Sequence, residues 1–220
     1  MVIKPSFGRR AFLVCNLVFL AFISFLCLMP ILHILAISFS SGSAAAAGKV
    51  ALWPVEFTTA AYDNVFGKPE YVRAFGISIQ RVVVGTVLSM LLTIITAYPL
   101  SKDRNTFRLR TVYAWIFVFT ILFNGGLIPT YLTIKSLGLI DTLGALVLPM
   151  AINVFNVILL LNFYRNLPRE LEDASRIDGA GHFATLWKIY VPLSLPALAT
   201  TGLFTMVGHW NSWFDGMLYM

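Results

Sequence analysis

Long apolar stretches alternate with short charged or glycine-rich segments along the whole chain. A helix needs about 20 predominantly apolar residues to cross the hydrocarbon core of a bilayer. The pattern therefore predicts an all-α fold, a polytopic transmembrane helical bundle with five spans. A glycine-rich interruption lies near Asn124-Gly125-Gly126, inside the third stretch. The predicted spans cover, with approximate ends, residues 11–39, 75–100, 112–132, 143–163 and 191–208.

Basic residues precede the first stretch, so a cleavable signal peptide is a competing interpretation, with Ala44-Ala45-Ala46 as its candidate cleavage site. The apolar run is well beyond the roughly 7–15 residues of a typical signal-peptide core. It is long enough for a tilted span. We therefore expect an uncleaved helix that follows a cytoplasmic N-terminal tail at residues 1–10.

The second stretch carries small residues every four positions, at Gly85, Ser89, Thr93 and Ala97. Such a face lets two helices approach closely in lipid, so we predict a helix–helix interface along it. Arg81 stands near the outer end of the same stretch. A long basic side chain there can reach the aqueous interface, and we expect Arg81 to do so.

Composition supports a membrane protein, because 58% of the 220 residues are hydrophobic and only 12% are charged. Soluble domains carry about 25% charged residues. The net charge of +6 does not indicate nucleic-acid binding, since the basic residues cluster in short loops beside apolar runs. Cys15 and Cys27 both lie in the first apolar run, and we expect buried small side chains there rather than a disulfide or a metal site.

The distribution of Lys and Arg predicts the orientation of the chain in the membrane. With the N-terminus in the cytoplasm, eleven basic residues fall in the N-terminal tail and in the segments 101–110 and 165–190. Four basic residues then fall outside, at Lys49, Lys68, Arg73 and Lys135. Because basic residues concentrate in short cytoplasmic loops, this asymmetry favours a cytoplasmic N-terminus and a cytoplasmic 165–190 segment.

The segment Leu167–Pro196 is dense in charge although it lies between two apolar stretches. Pro168 suits a first helical turn, and the acidic residues that follow suit the positive end of a helix dipole. Gly179 and Gly181 favour a tight bend. A second amphipathic piece begins near Phe183. We predict a helix, a glycine bend and a second helix, which together form a docking element between two spans.

A family resemblance lies in the same segment. Asp173-Ala174-Ser175, three residues, Gly179, nine residues, Ile189, one residue and Val191-Pro192 resemble the EAA loop of ABC-importer permeases, which reads Glu-Ala-Ala, three, Gly, nine, Ile, one, Leu-Pro. Glycine, isoleucine and proline match in register, whereas Asp173, Ser175 and Val191 are conservative departures. A generic amphipathic hairpin at the membrane interface is the alternative that the residues alone leave open.

The resemblance implies a type-1 ABC-transporter permease domain over residues 11–220, with residues 165–190 as its cytoplasmic coupling loop. Apolar members of this loop would contact an ATPase, charged members would set the register, and glycines would form the bend. The residues expected to form the coupling site are Glu170, Leu171, Glu172, Asp173, Ala174, Arg176, Ile177, Asp178, Gly179, Gly181, Phe183, Ile189 and Pro192.

The chain has no G-x-x-x-x-G-K-[ST] nucleotide-binding loop and no recognisable hydrolase or zinc motif, so we expect a transporter subunit rather than an enzyme. Ionisable residues are nearly absent from the spans, which argues against an ion-coupled carrier. The implied partners are a second homologous permease, an ABC ATPase dimer and an extracellular sugar-binding lipoprotein, in the plasma membrane. No cofactor or metal is expected.

Permeases of this kind have six spans with both ends inside. Five predicted spans leave the C-terminus outside, so we expect the chain to be incomplete at its C-terminal end. This expectation keeps a different interpretation open, in which the chain is a remnant without transport function or a membrane scaffold.

The cargo is predicted from a weaker match. Phe123–Tyr131, Leu137-Gly138-Leu139 and Leu148-Pro149 are similar to the permease subgroup for complex oligosaccharides. Peptides or phosphonates are the alternative solutes. Amides can bind sugar hydroxyls and tryptophans can stack on sugar rings, although interhelical hydrogen bonds and an interfacial aromatic belt explain such residues equally well. The candidate path residues are Asn124, Asn153, Asn156, Trp210 and Asn211. Because Asn153 and Asn156 are three positions apart, we expect them to share one helical face.

Overall fold

The computed structural model describes residues 7–220, so residues 1–6 of the predicted N-terminal tail, including Lys4, lie outside the described residues. Within 7–220 the regular structure is helical and contains no strand, which confirms the all-α membrane class. The chain divides into two compact units, one ending at Arg73 and the other running from Ala74 to Met220.

The first unit contains one long apolar helix and a small folded segment. Helix α1 (Phe7–Ser38) is followed by α2 (Gly42–Ala46) and α3 (Ala60–Phe66). The ring of Phe39 stacks on Phe57 at a centroid distance of 5.5 Å. Cys15 and Cys27 are free and exposed on α1, so the expectation that they are buried is wrong. A span that is apolar on every face can leave small side chains at its surface.

The second unit holds the remaining helices, beginning with the C-terminal part of α4. The helices, with their bounds, are α4 (Pro69–Ser101), α5 (Arg110–Leu122), α6 (Leu127–Ser136), α7 (Leu143–Val147), α8 (Val154–Arg165), α9 (Arg169–Ile177), α10 (His182–Thr185), α11 (Val191–Leu193), α12 (Leu195–Asn211) and α13 (Phe214–Tyr219). A 3-10 turn follows α7 at Leu148–Met150, and a π-helical turn precedes α11 at Leu186–Tyr190.

Among residues 7–220, two helices, α1 and α4, are individually long and apolar enough to cross a membrane. Three further crossings require a bent pair each. Helices α5 and α6 meet at 117°, Leu143–Met150 and α8 at 49°, and His182–Leu193 and α12 at 83°. The described residues contain up to five spans if each bent pair counts as one span. The predicted limits of the last three spans therefore stay predictions. The α5–α6 break falls at the predicted glycine-rich interruption, where Gly126 has a positive φ of 85°.

The small-residue face of α4 is buried, which confirms the predicted helix–helix interface. Gly85, Ser89, Thr93 and Ala97 are all buried. Helix α12 packs against this face, and the Thr201 hydroxyl lies 3.7 Å from the sulfur of Met90. Small side chains leave room for this close approach of the two helices.

The expectation that Arg81 reaches the membrane interface is wrong. Its side chain is buried, donates to the Ser212 carbonyl at 2.8 Å and forms an ion pair with Asp215. A guanidinium within a membrane helix is costly unless it is paired. The pairing was not predicted because Asp215 lies in the first turn of α13, 134 positions away in sequence.

We predict that Gly85→Ala destabilises the second unit. A Cβ at residue 85 would lie 2.6 Å from Nε2 of the buried His209 ring, so the helices must separate or the ring must move. Overpacking of this kind costs about 1–3 kcal/mol. The purified chain in detergent should therefore melt at a lower temperature.

Gly202→Ala is the matched control, because its Cβ would meet Met90 at an ordinary 3.8 Å. Its melting temperature should stay at or above that of the unchanged chain, since alanine favours a helix. Equal melting of the Gly85→Ala and Gly202→Ala variants would contradict the described packing.

Candidate functional site

Helix α9 begins directly after Pro168, as the sequence predicts. Pro168 has φ −57° and occupies the N-cap, while Glu170 and Glu172 lie in the first turn and Arg176 in the last. Negative charge near a helix N-terminus and positive charge near its C-terminus both stabilise the helix. The local charge order therefore favours a short, defined helix in a segment that has little apolar surface of its own.

The bend after α9 is a Schellman motif built on Gly179. The Gly179 amide donates to the Arg176 carbonyl at 3.0 Å, and the Ala180 amide donates to the Ser175 carbonyl at 2.9 Å. Gly179 has φ 76°, a conformation that disfavours side chains with a Cβ. Gly181 has φ −75°, which any residue adopts, so only one of the two predicted glycines is required by the backbone.

A buried hydroxyl pair joins the two halves of the coupling loop. Ser175 Oγ lies 2.6 Å from Thr185 Oγ1, and the Thr185 hydroxyl also donates to the Gly181 carbonyl at 3.2 Å. Ser175 stands where the EAA pattern has alanine. Thr185 compensates for this departure, because it gives the buried serine a hydrogen-bond partner.

The carboxylate of Glu172 points into the protein rather than outward. It accepts hydrogen bonds from Lys102 Nζ at 2.7 Å and from the Tyr190 hydroxyl at 2.9 Å. Arg176, one turn further along α9, donates to its other oxygen at 2.8 Å. The predicted member of the coupling site is thus engaged within the chain.

Burial alone would raise the pKa of the Glu172 carboxyl. The hydrogen bonds from Lys102 and Tyr190, together with the charges of Lys102 and Arg176, outweigh burial and lower that pKa. Burial lowers the pKa of the Lys102 ammonium, against the opposing effect of Glu172. The carboxylate is therefore held in its ionised form.

Two aromatic rings contact the Lys102 ammonium. Its Nζ lies 4.1 Å from the ring centroid of Tyr98 and 4.0 Å from that of Tyr190, both within the range of cation–π attraction. Tyr190 also meets Tyr98 and Tyr164 edge-on, at centroid distances of 5.0 Å and 5.3 Å. These contacts bring the ends of α4 and α8 to the π-helical turn.

Several apolar side chains of the coupling loop are exposed. Ile177 is 86% exposed and Phe183 is 70% exposed, on either side of the Gly179 bend. We call Leu171, Ile177 and Phe183 the apolar crest. The other predicted members at the surface are Glu170, Asp173, Ala174, Arg176, Asp178, Gly179, Gly181 and Pro192, whereas Ile189 is half-buried.

A polar cavity of about 310 Å³ opens beside the buried pair. Lys102, Glu172 and Tyr190 line one part of it, and Asp103 and Arg169 line another. Asp103 and Arg169 form an exposed ion pair, with Nη1 of Arg169 3.0 Å from the carboxylate. Two ion pairs, one buried and one exposed, therefore connect α9 to the segment that follows α4.

Lys102, Tyr98 and Thr185 were not predictable from the sequence as members of this site. Lys102 contributed only to the charge count, and its partner Glu172 lies 70 positions away. A tyrosine in the last turn of α4 has an ordinary membrane-interface explanation. The one available signal for Thr185 was the departure of Ser175 from the alanine of the EAA pattern.

The candidate path residues play different local roles. Asn124 Oδ1 accepts from the Gly126 amide at 2.9 Å, in the α5–α6 break. Asn153 caps α8 and therefore does not share a helical face with Asn156, contrary to expectation. Asn156 is buried and donates to Thr205 Oγ1 at 3.0 Å, which is the interhelical alternative.

The two remaining path candidates lie at the end of α12. Trp210 is exposed and meets Phe75 edge-on at a centroid distance of 6.2 Å, and Asn211 is exposed. A contact with sugar remains a prediction for all five residues.

Comparison with known proteins gives a consistent set of relatives. The family model described as "Binding-protein-dependent transport system inner membrane component" matches residues 3–213. Protein LplC of Bacillus subtilis (strain 168) is 44% identical over 211 residues, which cover 96% of this chain and 71% of LplC. The polygalacturonan/rhamnogalacturonan transport system permease protein YtcP of the same organism is 41% identical and covers 87% of this chain; the chain spans 66% of YtcP.

A solved structure has the same fold. The crystal structure of a bacterial ABC transporter involved in the import of the acidic polysaccharide alginate contains a chain that is 36% identical to this one. The TM-score is 0.89, and the match covers 100% of this chain and 78% of that chain.

We predict an asymmetric response to removal of the buried hydroxyls. Thr185→Val leaves the Ser175 hydroxyl buried without its partner, which costs about 1–3 kcal/mol. Ser175→Ala costs less, because Thr185 keeps its hydrogen bond to the Gly181 carbonyl. Melting of each variant in detergent measures the difference.

The double variant Ser175→Ala/Thr185→Val supplies the control. It should recover most of the stability lost in Thr185→Val, because no buried hydroxyl then lacks a partner. If the stability lost in the double variant equals the sum of the losses in the two single variants, the Ser175–Thr185 hydrogen bond does not exist.

Proposed function

Because the chain belongs to the family of inner membrane components of binding-protein-dependent transport systems, we propose that it is the permease subunit of an ATP-driven importer for oligosaccharides. A second, homologous permease would complete the translocation path. An ABC ATPase dimer would bind on the cytoplasmic side, and an extracellular sugar-binding lipoprotein would deliver the cargo.

The names of relatives support a carbohydrate cargo. YtcP is named for polygalacturonan and rhamnogalacturonan, and the alginate importer is named for an acidic polysaccharide. The match around Phe123–Tyr131 points to the same subgroup. We infer that the cargo is a short oligosaccharide rather than a peptide or a phosphonate.

The apolar crest carries the proposal that the coupling loop docks onto an ATPase. Ile177 and Phe183 expose most of their surface on either side of the Gly179 bend, in a loop that is rich in charge. Exposed apolar side chains with a polar rim are typical of a protein–protein contact. The charge distribution predicts that this loop is cytoplasmic, the side on which ATP is hydrolysed.

In the proposed mechanism, closure of the ATPase dimer on ATP moves the coupling loop, and the spans then change from inward-open to outward-open. Asp173 and Asp178 are exposed beside the crest and would set the register against the ATPase. The chain has no nucleotide-binding loop, so the energy of ATP reaches it through this contact.

We predict that Gly179→Val abolishes ATPase coupling without blocking membrane insertion. A positive φ of 76° costs a residue with a Cβ about 1–2 kcal/mol, and more for a β-branched side chain. The relative position of Ile177 and Phe183 should change as a result. The measurement is sugar-stimulated ATP hydrolysis by the reconstituted importer.

Gly138→Val is the matched control. The same Schellman motif ends α6 there, with φ 67° at Gly138 and open space around its Cβ position. Both variants suffer the same backbone strain, but only Gly179→Val should lose stimulated hydrolysis. Normal stimulation in Gly179→Val would refute the docking role of the coupling loop.

The cargo is tested separately, by uptake into proteoliposomes that hold the importer and its binding protein. Labelled uronic-acid and neutral oligosaccharides, a peptide and a phosphonate are compared. We predict ATP-dependent uptake of an oligosaccharide alone. Uptake of the peptide or phosphonate in its place would contradict the proposed cargo.

A further inference from the structure

The buried cluster behind the coupling loop has no place in the docking contact itself. Glu172 is only 15% exposed and Lys102 only 7% exposed, so neither can form the main contact with a partner protein. Two ionic groups have nevertheless been moved out of water, which is costly. The geometry of the pair indicates which parts of the chain it holds together.

We propose that Lys102 is a positioning residue, and that Lys102, Glu172 and Tyr190 form a strut that carries the movement of α9 into the inner ends of α4, α8 and α12. This inference rests on the proposed importer function and adds to it. It assigns force transmission to residues that do not touch the ATPase.

The strut ties α9 to two other parts of the chain through one carboxylate. Lys102 directly follows α4, and Tyr190 directly precedes α11, from which the chain turns into α12. Both donate to the same oxygen of Glu172, at 2.7 Å and 2.9 Å, and Lys102 donates to the Tyr190 hydroxyl at 2.9 Å. The three groups form a closed triangle, so α9 cannot shift without moving both neighbours or breaking a charge-assisted hydrogen bond.

The aromatic rings extend the strut to a third helix. Tyr164 lies in the last turn of α8 and is almost fully buried against Tyr190. Tyr98, in the last turn of α4, contacts both the Lys102 ammonium and the Tyr190 ring. Close-packed interiors transmit displacement with little compression, so pressure on the crest reaches three helix ends together.

A lysine suits this position better than other residues. Its compact ammonium lies beside the Tyr98 and Tyr190 rings, which meet each other edge-on, and it still reaches Glu172. Methionine has a similar length but neither donates a hydrogen bond nor carries charge, whereas arginine retains both properties with a larger head group. These differences give a graded series of substitutions.

The exposed Asp103–Arg169 pair is a natural comparison. It connects α9 to the same segment after α4, but its side chains are 56% and 80% exposed. Exposed ion pairs contribute little, since water screens them. If a link between the two segments were sufficient, both pairs would matter equally. The proposed strut predicts that only loss of the buried Lys102–Glu172 pair reduces sugar uptake per ATP.

The test uses the complete importer in proteoliposomes, with the variants Lys102→Met, Lys102→Arg and Arg169→Met. Three quantities are measured: the ATPase that co-purifies, its basal hydrolysis, and sugar uptake per ATP hydrolysed. Lys102→Met should retain the bound ATPase but lose uptake per ATP by about tenfold, within the usual range of coupling between sites. Lys102→Arg should recover part of the lost uptake per ATP. Uptake per ATP in Arg169→Met should stay within about twofold of that of the unchanged importer.

The possible results distinguish a failure of the strut proposal from a failure of the proposed importer function. If no ATPase co-purifies with the unchanged chain, the importer assignment fails whatever the variants do. If Lys102→Met binds ATPase and transports with normal uptake per ATP, the strut is refuted. The strut is also refuted if Lys102→Met and Arg169→Met lose the same fraction of uptake per ATP, because the burial of the Lys102–Glu172 pair would then be irrelevant.

Tyr190→Phe decides the question if Lys102→Met fails to fold. It removes the hydroxyl from the triangle but keeps the ring that packs against Tyr164. Uptake per ATP should fall while the melting temperature and ATPase binding change little. Unchanged uptake per ATP in a folded Tyr190→Phe importer would overturn the proposal.

Discussion

The ion pair between Lys102 and Glu172 determines how the coupling loop sits against the rest of the second unit. Burying a carboxylate and an ammonium is favourable only when their remaining hydrogen-bonding groups are also satisfied. The protein meets this condition with the Tyr190 hydroxyl, the Arg176 guanidinium and two aromatic faces. The orientation of α9 follows, because Glu172 faces inward only if the opposite side of the helix faces outward.

The orientation of α9 in turn determines which of its side chains are exposed. With Glu172 directed inward, Leu171 and Ile177 remain exposed on α9, and Phe183 is exposed after the Gly179 bend. The Ser175–Thr185 pair holds the two halves of the loop together. Ser175 and Gly179, which belong to the segment that carries the family resemblance, therefore both shape this bend.

Patterns that depend on neighbouring residues were predictable from the sequence. Hydrophobic stretches indicated helices, four-residue spacing indicated the buried face of α4, and Gly179 indicated the bend. Features that depend on distant partners were not. Arg81 pairs with Asp215 and Lys102 with Glu172 across 134 and 70 positions, and no local periodicity connects such residues. Asn153 and Asn156 show a related limit, because a shared helical face requires both residues to lie inside the helix, and Asn153 is its cap.

If the apolar crest is a cytoplasmic surface that the ATPase covers, cysteine labelling in inside-out vesicles will detect this protection directly. With Cys15 and Cys27 replaced by serine, single cysteines are placed at Ile177 and, as a control, at exposed Asn105. A membrane-impermeant maleimide should label both sites when the ATPase has been stripped, and rebinding of the ATPase should protect Ile177→Cys alone. Labelling of Ile177→Cys that is unchanged by the ATPase, or that occurs only from the opposite side of the membrane, would contradict the account.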